Sequence, residues 1–139
     1  MRENNLIKEL EHDNSWYFLN TGINTGQFNM DCDLFLLNKN LDLPVLRVYA
    51  WDEPTLSLGV SQKEESVQVK DYPIVKRITG GQAVLHGTSI DEITYSVVLK
   101  TTESFKKVYV EIGNILIKFL DYFFEQFEPF CHQLLFYQF

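Results

Sequence analysis

The stretch KRITGGQAVLH, Lys76 to His86, sets two cations, a Gly-Gly pair and a histidine between two short runs of strand-forming residues. PIVKRI and QAVLH are apolar and β-branched, which predicts two strands of a hairpin with Gly80-Gly81 supplying the positive φ angles of a tight connection. Without β-carbons at the bend, a ligand can approach the main chain closely. Backbone N–H groups at such a turn favour an anion, and Lys76 and Arg77 bring charge to the same place. Two readings of these residues stand side by side: a site for a phosphate or carboxylate, or an ordinary turn flanked by solvated cations.

Working outward, residues 16–20 are predicted as a first strand and Thr21 to Gln27 as a turn rich in Gly, Asn and Thr. Asn29 is a candidate cap for a helix reaching about Asn38, with Met30, Leu34 and Leu37 at helical spacing on its buried side. Val45 to Trp51 and Thr55 to Ser61 read as strands separated by the turn-forming Asp52-Glu53-Pro54, and Ile93 to Leu99 as another. From Ser104 to Phe127 the residues Val108, Ile112, Ile115, Phe119, Tyr122 and Phe123 share one face of a long helix, with Pro129 shortly after its end. The apolar tail from Phe130 to Phe139 would be an interior strand in a finished domain; with its partner strands absent it would be an exposed run prone to self-association. The fold class that follows is α+β, a largely antiparallel mixed sheet backed by helices, in one domain over residues 1–139.

At 139 residues, 45 % hydrophobic, the chain can bury one sizeable core. Its 12 basic and 19 acidic residues give a net charge of −7, which argues against a nucleic-acid surface, since that requires clustered cations. The polar start Met1-Arg2-Glu3-Asn4-Asn5 and the lack of a long apolar run predict neither a signal peptide nor a membrane anchor. Cys32 and Cys131 lack metal-ligand spacing and suggest a reducing, cytoplasmic setting rather than a disulfide scaffold; no metal site is expected. Cys131-His132 is assigned no catalytic role, because neighbouring strand residues point to opposite faces.

Several motifs in order carry a resemblance. RVYAWDEPTLSLGVSQ from Arg47 to Gln62, then KRITGGQAVLH, then DEITYSVVL from Asp91 to Leu99, together resemble the lipoate-protein ligase and octanoyltransferase family, which shares its catalytic domain with biotin protein ligases. The positions that match are Arg47, Trp51, Pro54, Gly59, Gln62, Lys76, Arg77, Thr79, Gly80, Gly81, Ala83, Val84, His86, Thr94, Tyr95 and Ser96. The opening from Trp16, with Asn29-Met30 and a helix carrying Asp33, is similar to the family's entry. The resemblance implies the biotin/lipoate ligase and class II aminoacyl-tRNA synthetase type of fold, here its amino-terminal part.

What the resemblance implies for function is attachment of lipoyl or octanoyl groups to a carrier-domain lysine. Arg47, Lys76, Arg77, Thr79, Gly80, Gly81, Ala83 and His86 would bind the substrate or acyl-adenylate, with Arg77 the foremost anion contact because its planar fork holds two oxygens at once. Gly59 and Gln62 would shape the pocket edge, while Trp51 and Tyr95 are expected in the core. A ligase branch would use ATP and Mg with lipoate or octanoate; a transferase branch would draw on acyl carrier protein without ATP. Thr94-Tyr95-Ser96 and Ala83-Val84-Leu85-His86 lean towards the Cys-dependent octanoyltransferase subgroup. Partners implied are lipoyl carrier domains of the E2 or glycine-cleavage H-protein type, and acyl carrier protein. Lys76 departs from the usual Arg-Arg pair, and Gly87 to Asp91 replaces a short turn that begins with Asp. The family's catalytic Lys segment and nucleophilic Cys lie beyond the long helix and have no counterpart before Phe139, so catalytic residues are left unassigned. The alternatives are a split or partial catalytic domain, a non-catalytic module that binds lipoate or a medium-chain acyl group, and a structural domain whose turn matches by chance.

Overall fold

A computed structural model describes residues 15–68, 71–89 and 92–135, with side chains described as far as Tyr122. Two compact units divide the chain, and everything discussed as a site lies in residues 14–100.

In that unit, strand β1 (Tyr17–Asn24) leads into helix α1 (Gly26–Asn38), then strands β2 (Val45–Trp51) and β3 (Thr55–Leu58), and a single 3-10 turn (Glu64–Ser66). Strands β4 (Ile74–Lys76), β5 (Val84–His86) and β6 (Thr94–Val98) complete it. β2 is the middle of one sheet, parallel to β1 and antiparallel to β6. β3 is the middle of the other, parallel to β4 and antiparallel to β5. The α+β class with mixed sheets is therefore as expected, each sheet combining one parallel and one antiparallel pairing.

The sequence of β2 explains its central place. Side chains alternate along a strand, so Val45, Arg47, Tyr49 and Trp51 share one face, and all four are buried. Met30 from α1 and Val75 from β4 join Tyr49 and Trp51 in one core cluster. Gly26 lets α1 approach: a β-carbon there would stand 2.7 Å from the Thr55 methyl and 3.1 Å from the Trp51 ring.

The expected first turn, helix cap and inward helix face need correction. The first strand runs on to Asn24 through an irregularity between Asn20 and Gly22, so most of the expected turn is strand. The helix begins four residues sooner than an Asn29 cap would start it, because Thr25 caps it, its Oγ1 accepting from the Phe28 N–H at 3.2 Å. Its inward face carries Gly26, Asn29, Met30 and Leu36, while Leu34 is 43 % and Leu37 54 % exposed. The polar Asn29 is drawn inside because it bonds a buried cation, described below.

The second unit contains helix α2 (Phe105–Leu135). Helix is as expected, but it continues past Phe127 and includes Pro129, and residues 130–135 extend it rather than forming an interior strand. A proline inside a helix deprives the carbonyl four residues earlier of its donor without necessarily ending the helix. Along the expected buried face Ile115, Phe119 and Tyr122 are exposed, and among the described residues of the helix Glu111 is the buried one. The expectations for the chain start, for Asp91, for the side chains of Phe123, Cys131 and His132, and for residues 136–139 lie outside the described residues.

Candidate functional site

The hairpin predicted for Lys76 to His86 does not form. β4 and β5 each pair with β3 rather than with each other, so residues 77–83 cross from one edge of β3 to the other beyond its Leu58 end. Both three-residue strands are too short to hold one another against a fully buried partner that offers each a complete edge. The result is an arch rather than a turn. Gly59 lies directly beneath it: the Val60 N–H donates to the Thr79 carbonyl at 2.9 Å, and a β-carbon on Gly59 would collide with the Gly81 carbonyl oxygen. Gln62 folds back so that its Oε1 accepts from the Gly59 N–H at 3.0 Å, and its Nε2 reaches Gln82 Oε1 at 3.4 Å.

Gly81 has φ of +98°, the left-handed region in which glycine is nearly free of strain, and the space beside Gly80 is open. Arg77 closes the arch from within. Its Nη1 donates to the Ser57 carbonyl at 2.8 Å and to Ser57 Oγ at 2.6 Å, and its Nη2 to the carbonyls of Gly80 at 3.1 Å and Gln82 at 2.9 Å. Partial burial lowers the Arg77 pKa from its ordinary value, with Tyr49 opposing the shift. Gly59→Ala is expected to push the arch away from β3 and cost about 1–3 kcal/mol, because the obstacle is backbone and cannot swing aside. Urea denaturation checks the loss, and amide shifts at Thr79 to Gln82 check its location.

Alongside β3, side chains from three segments meet. Ser57 Oγ is 2.7 Å from His86 Nε2, and His86 Nδ1 is 2.6 Å from Glu92 Oε1. Glu92 also accepts from the Gly87 N–H at 3.1 Å and from the Thr94 hydroxyl at 3.0 Å; Thr94 in turn accepts from Trp51 Nε1 at 2.8 Å. The indole of Trp51 stacks on the His86 ring with centroids 4.0 Å apart. Ser57 and His86 are both buried, so the Ser-His-Glu order is not an exposed nucleophile with its base. Burial raises the Glu92 pKa, but the bonds from His86, Gly87 and Thr94 outweigh it and leave the carboxyl below its ordinary value of 4.5. A carboxyl whose folded pKa is depressed contributes stability above the unfolded pKa and loses it as pH falls through the folded one. Stability is thus expected to decline on acidification below about 4.5, and Glu92→Gln should flatten that decline in a pH series of thermal melts.

Arg47 belongs to a separate, interior node. It is 0 % exposed, which corrects the reading of an exposed cross-strand residue. Nη1 donates to Asp33 Oδ1 at 2.7 Å and to the Asn29 carbonyl at 3.0 Å, Nη2 to Asn29 Oδ1 at 2.8 Å, and Nε to Thr21 Oγ1 at 2.9 Å. The guanidinium lies 3.9 Å from the Tyr49 ring centroid. Asp33 Oδ1 also accepts from Ser96 Oγ at 2.7 Å, joining α1, β2 and β6. Burial and the Asp33 carboxylate push the Tyr49 phenol well above its ordinary value, against the pull of Arg47, so it remains a donor towards Asp33 Oδ2 at 3.4 Å.

Residues 25–128 match the model of the lipoyl protein ligase A/B catalytic domain, well over half of the chain. The chain belongs to the lipoyl protein ligase A/B catalytic domain family. Among curated relatives it is 42 % identical over 95 residues to the octanoyltransferase LipM of Moorella thermoacetica, covering 62 % of this chain and 34 % of that protein. It is 33 % identical over 117 residues to the LipM of Oceanobacillus iheyensis, covering 74 % of this chain and 42 % of that one. A crystal structure of P. falciparum LipL1 in complex with lipoate superposes with a TM-score of 0.54 at 16 % identity, over 69 % of this chain and 34 % of that one, and the likeness is one of fold. The chain thus spans about a third of the length of the first of these relatives.

Within this lipoyl ligase-type unit, the residues singled out from sequence fall into three places. Thr79, Gly80 and Gly81 form the arch, with Arg77 as its clasp and Ala83 leading into β5. His86 is paired with Thr55 and connects to the clasp through Ser57, and Lys76 is exposed on β4. Arg47 stands apart in the interior. Sequence alone missed Ser57, Glu92, Asn29 and Asp33 as network members. A signal existed for Ser57, a hydroxyl between two leucines in a strand otherwise fit for burial, since a buried hydroxyl requires a partner. Among the described residues no helix is long and apolar enough to cross a membrane.

Proposed function

We propose that this chain carries the acyl-recognition part of a lipoyl- or octanoyl-transferring catalytic domain, acting in protein lipoylation. The observation that carries the proposal is the arch itself: an open glycine at its crest, a left-handed glycine beside it, and a guanidinium locking its carbonyls inward, in a chain of the lipoyl ligase family. Drawing carbonyl oxygens towards Arg77 leaves the opposite side of the arch free of that negative charge, a setting suited to a carboxylate, thioester carbonyl or phosphate. Thr79, Gly80, Gly81 and Ala83 are the proposed head-group contacts, with Lys76 supplying charge from the adjoining strand. Arg77 and His86 act on the head group by shaping the arch.

The curated relatives are named octanoyltransferases, which favours the transferase branch: an octanoyl group taken from acyl carrier protein and delivered to the lysine of a lipoyl carrier domain, without ATP, in the cytoplasm. Incubating the chain with octanoyl-acyl carrier protein and an unmodified carrier domain, and weighing the carrier by mass spectrometry, tests this. Octanoylation without ATP supports the transferase branch, and octanoylation only with octanoate, ATP and Mg supports the ligase branch. A second reading, an acyl-binding module without transfer, is favoured by the burial of Ser57 and His86, the hydroxyl and imidazole nearest the arch clasp. It predicts octanoate or lipoate binding with no product. Neither product nor binding would overturn the proposal.

A further inference from the structure

The hydrogen-bond chain from Glu92 to Arg77 has a direction, and the direction follows from donor count. Arg77 can only donate, so Ser57 Oγ is an acceptor towards Nη1 at 2.6 Å. The one hydroxyl proton of Ser57 then has two possible acceptors, His86 Nε2 at 2.7 Å and the Val84 carbonyl at 3.5 Å. Only the first lies within the range of a sound O–H bond. Nε2 is therefore the unprotonated nitrogen, and the ring proton sits on Nδ1, where it meets Glu92 Oε1 at 2.6 Å. The carboxylate can only accept when ionised, so it selects this tautomer. The Trp51 ring stacked on the imidazole, and the bonds from Gly87 and Thr94 to Glu92, hold both partners in register.

We propose that Glu92 and Ser57 are positioning residues for the arch: Glu92 fixes the His86 tautomer, the tautomer orients the Ser57 hydroxyl, and Ser57 thereby presents its oxygen to the Arg77 fork that gathers the Gly80 and Gln82 carbonyls. Neither residue touches the proposed acyl head. Were the ring proton on Nε2 instead, Ser57 Oγ would accept from two donors at once while its own proton pointed at the distant Val84 carbonyl, which weakens its bond to Arg77 Nη1 and leaves that corner of the fork to the Ser57 carbonyl. The consequence for acyl binding rests on the function proposed above; the relay itself does not.

The test uses the 15N-labelled chain and its Glu92→Ala, Ser57→Ala and double variants. Long-range 1H–15N correlation of the wild-type chain is expected to show His86 protonated at Nδ1 and unprotonated at Nε2. Each single variant should shift the Gly80, Gly81 and Gln82 amides. Because both act through one chain, the double variant should shift them no further than Ser57→Ala alone, whereas two independent structural losses would add. A His86 proton on Nε2 in the wild type, unmoved arch amides, or additive shifts would each overturn the relay. Octanoate titrated into the same samples separates the two claims. Affinity falling about two- to tenfold in the variants supports the relay and the function together. Arch shifts in the variants with no octanoate binding even by the wild type support the relay and count against the acyl reading.

Discussion

Arg47→Ala is expected to destabilise the fold by about 3–5 kcal/mol, a large share of the roughly 5–15 kcal/mol that holds a domain of this kind together. The side chain is wholly buried, and its removal leaves the largely buried Asp33 carboxylate without its cation and Asn29 Oδ1 without its donor. Asp33 would keep the Ser96 hydroxyl and the Tyr49 phenol, which are too few to replace a cation. Arg47→Lys should cost less, because it retains charge, but it loses the fork that serves Asp33 and Asn29 at once. Asp33→Asn placed on Arg47→Ala should recover part of the loss by neutralising the stranded carboxylate. Urea unfolding measures all of these, and a loss below about 1 kcal/mol for Arg47→Ala would show that the node does not hold α1 to the sheet.

Trp51→Ala should cost a comparable amount, about 3–5 kcal/mol, for a different reason. The indole is 1 % exposed, packs against Met30, Tyr49 and Val75, and forms one wall of the His86 stack. Truncation opens a cavity where α1, β2 and β4 meet and removes the donor that Thr94 accepts. Trp51→Phe keeps most of the stacking surface and loses that N–H bond and a smaller part of the buried volume, so its cost should be lower, about 1–2 kcal/mol. Thermal melts followed by circular dichroism distinguish the pair. Equal losses would mean that the hydrogen bond, rather than the buried ring, carries the contribution.

Much of the frame was legible because it depends on near-neighbour pattern. Val45 to Trp51 has the residues of a strand and is one, with the expected limits, and the glycines at 80 and 81 do form a bend with a left-handed residue. What pattern could not show was which strand stands between which. β4 and β5 look like the arms of a hairpin along the chain, yet in space β3 separates them, and only that insertion turns the glycine bend into an arch over Gly59.

Periodicity also misplaced the inner face of α1. Counting apolar positions selects Leu34 and Leu37, but Arg47 in the neighbouring sheet draws Asn29 and Asp33 towards it, and a cation that lies eighteen residues from Asn29 along the chain leaves no trace in helical spacing. Ser57 and Glu92 were silent for the same reason. Each is ordinary in its own segment and becomes specific only when folding sets Ser57, His86 and Glu92 within hydrogen-bond distance. The Arg77 fork, expected to face a ligand, bonds the protein's own oxygens, and partners as far along the chain as Ser57 leave no local signal.

Titrating octanoate into the 15N-labelled chain and following backbone amides tests most directly whether the glycine arch receives the head of an acyl compound. Saturable shifts largest at Thr79, Gly80, Gly81 and Gln82, with the Arg47 node unmoved, are the predicted result. Saturable shifts elsewhere with the arch amides still, or no shifts at all, would contradict it.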